Sequence, residues 1–129
     1  MRRLTICVRQ VGPGRSAVTV AGEIDLTTVG ELDESVSSLF ATGTCVALDY
    51  SGVTFMDSVG LKFLLKHNRL AKDRGGRLFL CAPSEQVITL LGLAEVIGVL
   101  DIRDDVQTAL VEAGPGHSDA DADAEADAL

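Results

Sequence analysis

The chain has 129 residues, room for one domain with a single core and too little for two. Hydrophobic residues make up 47% and charged residues 23%, an ordinary balance for a soluble globular protein. Aromatic residues are only 4%, there is no tryptophan, and the net charge is −8, so neither a base-stacking surface nor a basic phosphate-binding footprint is expected.

Arg2-Arg3 open the chain, but the apolar run behind them is short and broken by Arg9-Gln10, which argues against a signal peptide. The longest apolar segments fall short of a membrane span, and a cytoplasmic location away from membranes is expected. Leu4 to Val11 reads as a strand, Gly12-Pro13-Gly14 as a turn and Ser16 to Ala21 as a second strand, which together predict a hairpin. Gly22 then interrupts the pattern. Thr28 followed by Glu31 fits a capping box, and Val29, Leu32, Val36, Leu39 and Phe40 recur at helical spacing up to Gly43. Cys45 to Tyr50 is a nearly all-apolar strand of the kind buried on both faces. From Ser58 the pattern predicts a helix to Asp73, closed by Gly75-Gly76.

Arg77 to Ala82 is another buried strand, and Pro83-Ser84 starts a helix that Gly92 stops. Val99 to Asp101 reads as a last short strand, and Arg103 to Glu112 as a final helix. Cys7, Cys45 and Cys81 each sit in an apolar run, with no CxxC pair, and are expected as buried, reduced core thiols. The order β, β, then alternating α and β predicts an α/β fold with a mixed, mostly parallel sheet and an N-terminal hairpin. That domain is placed at residues 1–113. Residues 114–129 form an acidic tail with Asp119, Asp121, Asp123, Glu125 and Asp127 and no Lys or Arg. Those five acids leave −3 on the remainder, and the tail is expected to be disordered because it has almost nothing apolar to bury.

One hydroxyl, Ser58, lies between Asp57 and Val59-Gly60 in "FMDSVGL". Its plainest role is a helix cap, worth about 1 kcal/mol. A hydrolase nucleophile elbow needs glycine two residues earlier, where Met56 stands, and a histidine base. His67 is nine residues along the same helix, roughly 13–14 Å away, and His117 falls in the tail. An aspartyl-phosphate receiver built on Asp57 fails for want of further acids after the first strand and of any lysine beyond Lys72. Gly12 to Ser16 lacks the spacing and lysine of a phosphate loop. A further reading is a phosphorylatable switch, since a phosphate there meets free amides and the positive end of the helix dipole.

"FMDSVGL" resembles the phosphorylation motif of STAS-domain anti-sigma factor antagonists, whose usual form is Asp-Ser-Ser/Thr-Gly-Leu. "GEIDLTTVGEL", Gly22 to Leu32, resembles the same family's second signature, and the likeness extends from about Leu4 to Leu110. The resemblance implies a single STAS-like domain that is no enzyme and needs neither cofactor nor metal. It implies that Ser58 is phosphorylated by the anti-sigma factor, an ATP-dependent serine kinase. It also implies that Glu23, Asp25, Asp57, Ser58, Gly60 and Lys62 form the partner-binding surface. The unmodified protein would bind the kinase and so free a sigma factor; phosphorylation would end that binding and a metal-dependent serine phosphatase would restore it. A monomer or weak dimer would suffice. Val59 replaces the family's second hydroxyl, and Lys62 stands where glycine is usual. A non-phosphorylated STAS module of a transporter or signalling scaffold is the alternative. Ser58, Lys62, Lys66 and Arg69 share one helical face, which reads first as a solvated charged face and second as a docking ridge.

Overall fold

The computed structural model describes residues 3–114; the acidic tail and the expectation of its disorder lie outside them. The elements run β1 (Leu4–Gly12), β2 (Arg15–Ile24), α1 (Val29–Val36), β3 (Cys45–Met56), α2 (Ser58–Asp73), β4 (Arg77–Cys81), α3 (Glu85–Leu93), β5 (Asp101–Arg103) and α4 (Val106–Ala113), with single 3-10 turns at Ser37–Leu39 and Ile97–Val99. The five strands lie side by side in chain order, β1 antiparallel to β2 and every later pair parallel. The expected mixed sheet with an N-terminal hairpin is the one observed.

That order dictates where the helices go. Three successive parallel crossovers that step the same way along a sheet, each right-handed, must put their helices on one face. Accordingly α1, α2 and α3 bury one continuous core with Leu4, Val18, Val20, Val46, Leu48, Tyr50, Leu78 and Leu80. The opposite face is covered by α4, whose Ala109 packs on Ala47, Phe79 and Cys81. His67 of α2 ties two elements of the main core together. Its ring lies against Phe40 and Phe63, with Nδ1 3.0 Å from the Phe63 carbonyl and Nε2 3.2 Å from Asp33 of α1.

Several local expectations change once the strands are paired. Gly22 does not end β2: it sits at φ +110°, and a Cβ there would lie 2.0 Å from the Arg3 carbonyl. Only glycine lets the two backbones approach so closely, and the register shift beside it is a bulge inside a continuing strand. β3 runs on to Met56 rather than stopping at Tyr50, because β2 continues alongside it. Thr28 precedes α1 but makes no capping bond to it. Its hydroxyl instead donates to the Glu23 carbonyl at 2.8 Å and accepts from the Asp25 amide at 3.0 Å. α3 passes through Gly92 and ends at Leu93, and the last strand is displaced to Asp101–Arg103, with α4 starting at Val106.

Cys45 and Cys81 are buried as expected, whereas Cys7 is exposed. Cys7 points to the face on which α4 packs against Ala47 of β3 and Phe79 and Cys81 of β4, and at its own place on β1 no described residue shields it. Burial raises the Cys45 thiol pKa and pushes that of Cys81 up to about 12. Of the three thiols, Cys7 alone is therefore expected to react within minutes with a neutral alkylating reagent in the native protein. Mass spectrometry of the labelled peptides checks this; rapid native labelling of Cys45 or Cys81 would contradict the packing.

Candidate functional site

β2 and β3 are parallel neighbours, so their C-terminal ends leave the sheet on the same side. Ile24 lies beside Met56, both fully buried, and the Asp57 amide donates to the Ile24 carbonyl at 3.3 Å. This pairing brings the Glu23–Thr28 loop alongside Asp57 and Ser58, stretches far apart in sequence. Five of the six expected partner-surface residues thus gather at one end of the sheet: Glu23, Asp25, Asp57, Ser58 and, one turn along α2, Lys62. The sixth, Gly60, is buried. A Cβ at Gly60 would stand 2.4 Å from Met56 Cγ and 2.9 Å from Ile24 Cγ2. Its place is to let the first turn of α2 settle onto the strand ends, so it sets where Ser58 stands rather than offering surface.

Asp57, not Ser58, caps α2: its carboxylate accepts from the Val59 amide at 2.9 Å. Ser58 is the first helical residue, exposed, with no side-chain hydrogen bond to a described residue. The cap role is therefore filled by its neighbour, which leaves the Ser58 hydroxyl available. A residue far along the chain steadies the same turn. Gln86 of α3 accepts from the Met56 amide at 2.8 Å and donates to the Met56 carbonyl at 3.1 Å, pairing with β3 as a neighbouring strand would. Nothing in the local sequence around Gln86 signals this.

The acidic loop is closed by Arg3, which sequence reasoning also missed. The Arg3 guanidinium bonds Glu23 at 3.1 Å and the Thr27 hydroxyl at 2.7 Å, and it makes a short contact with Asp25. The Thr27 hydroxyl and amide, with Arg3 beside them, hold the Asp25 carboxyl below its ordinary pKa against the cost of desolvation. On the other side of Ser58, Val59, Lys62, Phe63 and Lys66 of α2 face Val29, Gly30 and Asp33 of α1 across a shallow groove. Lys66 and Arg69 approach Asp33 at 3.8 Å and Asp73 at 3.6 Å, exposed pairs of little energetic weight, so beyond Lys62 the basic stripe is a solvated charged face. Among the described residues no His, Cys, Asp and Glu cluster is arranged to hold a metal ion, and no helix is long and apolar enough to cross a membrane.

A family model described as the STAS domain matches residues 8–109. The chain is 32% identical over 85 residues to the anti-sigma-B factor antagonist of Bacillus subtilis, spanning 66% of this chain and 78% of that protein. It is 40% identical over 52 residues to the anti-sigma-F factor antagonist RsfB of Mycobacterium tuberculosis, 40% of this chain and 43% of that one. The crystal structure of an anti-sigma factor antagonist from Mycobacterium paratuberculosis superposes with a TM-score of 0.74 at 25% identity, covering 85% of this chain and 93% of that chain.

Two outcomes test this geometry. Gly60→Ala should destabilise the protein by about 1–2 kcal/mol, since the added methyl must displace Met56 and Ile24. Gly30→Ala, in α1 with nothing within 4 Å of the new methyl, should be neutral or stabilise by up to about 1 kcal/mol. Urea denaturation of both variants gives the signs. Separately, an Asp25 pKa lower in the folded than in the unfolded chain means its contribution to stability is present above the unfolded value and lost as pH falls through the folded one. NMR titration of the Asp25 carboxyl should show that low value rising toward normal in Thr27→Ala and in Arg3→Ala.

Proposed function

The chain belongs to the STAS domain family, and we propose that it acts as an anti-sigma factor antagonist switched by phosphorylation at Ser58. Unmodified, it binds an anti-sigma factor that is also a serine kinase and thereby frees a sigma factor. Phosphorylation by that kinase ends the binding, and a metal-dependent serine phosphatase restores it. The protein itself performs no catalysis, takes no cofactor, and works as a monomer or weak dimer. Residues up to Ala113 form the STAS domain, and the acidic segment follows it.

The observation that carries this reading is the state of Ser58. It is exposed at the head of a sixteen-residue helix, relieved of capping by Asp57 and flanked by the loop of Glu23 and Asp25. Relatives similar in sequence to this chain are named for anti-sigma factor antagonism. A phosphate on Ser58 meets the positive end of α2, so the domain stays folded after modification. It also adds roughly two negative charges next to Asp57, Glu23 and Asp25. Arg3 is already committed to the two loop acids and offers that phosphate little compensation. Lys62, about 6 Å along the helix axis, holds no carboxylate among the described residues and is placed to absorb part of the new charge. A partner surface fitted to the neutral hydroxyl then faces an uncompensated dianion.

Calorimetric titration of the unmodified and phosphorylated protein with the anti-sigma factor serine kinase tests the switch, with mass spectrometry to locate the phosphate. Phosphorylation should weaken binding about a hundredfold, a cost of about 2.7 kcal/mol. Ser58→Ala should bind normally and accept no phosphate, because Val59 offers no substitute hydroxyl. Ser58→Asp should bind more weakly than the unmodified protein and more tightly than the phosphorylated one. Lys62→Gly should make the phosphorylated form a poorer binder still. Equal binding by the phosphorylated and unmodified proteins would sink the switch, whereas a silent Lys62 change alone would remove only its tuning.

A further inference from the structure

Between the hairpin and α4 the sheet has an uncovered trough. α4 packs on β3, β4 and β5, and beyond it Thr5, Cys7, Arg9 and Val11 of β1 share their face with Thr19, Ala21 and the buried Ala17 of β2 through the pairs Thr5 with Ala21, Cys7 with Thr19 and Arg9 with Ala17. The end nearest α4 is lined by Arg9, Val11, Arg15, Val106, Leu110 and Val111. Val111 is 73% exposed there. Arg15 reaches across, its Nη1 donating to the Leu110 carbonyl at 3.4 Å and to the Gly114 carbonyl at 3.1 Å, while its Nε is buried without an acceptor among the described residues. Arg9 likewise has no acid or carbonyl partner among the described residues, whereas Arg3, Arg77 and Arg103 are all held by carboxylates.

We propose that this trough is the docking surface for the protein's own acidic C-terminal segment, residues 115–129. The segment follows Gly114, the residue Arg15 holds, and so leaves the fold at the mouth of the trough. Extended, its fifteen residues span about 50 Å, more than the roughly 20 Å from Arg15 to Ala21 along β2. Its charge is complementary: five acids and no Lys or Arg beside two guanidiniums without a carboxylate. Acids at every second position from Asp119 to Asp127 keep one within reach of Arg9 or Arg15 in any register. The tether raises the local concentration of those acids to about the millimolar range, so weak exposed pairs are occupied without a buried interface. Asp49 of β3, the register partner of Thr19, limits how far the acids run toward the distal end. The contact is electrostatic and builds no core, in keeping with a segment that has no large apolar residue before Leu129.

Cys7, inside the trough, reports its occupancy. In the full chain, Cys7 alkylation by neutral iodoacetamide should be on the order of fivefold slower than in two full-length variants, the scale of two exposed pairs. One carries Asp119→Asn, Asp121→Asn, Asp123→Asn, Glu125→Gln and Asp127→Asn; the other carries Arg9→Glu. The difference should vanish in roughly 0.5 M salt, and neutralising the tail should shift the amide resonances of Thr5 to Val11 and Thr19. Equal labelling rates at low salt would overturn the proposal. So would slower labelling without those resonance shifts, since a slower reaction alone requires no docking. Shifts on Lys62 to Lys72 of α2 instead would place the segment elsewhere, and protection that grows with protein concentration would make a second copy the occupant.

Discussion

The parallel pairing of β2 with β3 at their C-terminal ends is the constraint on which the site depends. It sets Ile24 beside Met56, and the two buried side chains form the seat on which Gly60 lets α2 rest. A one-residue slip would turn Met56 outward and carry Asp57 and Ser58 away from the acidic loop, because side chains alternate faces along a strand. Two devices resist that slip. The Gln86 amide clasps both backbone groups of Met56, and the bulge at Gly22 fixes where β2 bends toward Arg3. The exposed serine is thus held by packing that begins well beneath it.

The electrostatics of the site follow from the same geometry. Glu23 and Asp25 are brought to Asp57 by strand pairing, which alone would concentrate carboxylates beside Ser58. Arg3 offsets two of them through the loop, with Thr27 completing a ring of hydrogen bonds. Glu23 and Asp25 are thereby matched, whereas Asp57 has no cation beside it among the described residues. Under the reading proposed above, the switch then works by charge at a fixed position, with no rearrangement of the fold required.

The handedness of the crossovers explains an asymmetry elsewhere. Three helices on one face bury a deep core, including Tyr50, Phe40 and Leu64, all essentially inaccessible. The single short α4 on the other face covers only part of the sheet. What is left open, from Cys7 to Val11, follows from helix count and strand order rather than from any local weakness of β1.

Much of this was legible in the sequence because the signals are local. The period of apolar residues, with Asp57 before and Gly75 after, marked α2 from Ser58 to Asp73, and the alternation of strands and helices implied the parallel sheet. The two signature stretches picked out Ser58, Glu23 and Asp25 by resemblance. Tertiary structure decided what depends on partners distant along the chain. Thr28 looked like a cap, yet its hydroxyl is taken by the loop that strand pairing folds back over it. Cys7 looked as buried as Cys45, because an apolar run does not say whether a helix will cover its strand. Arg3 and Gln86 carried no signal, since each acts on groups twenty or more residues away. Local pattern determines which elements form and which face of each is apolar; only the assembled sheet determines which of those faces meet and which side chains are left to do chemistry.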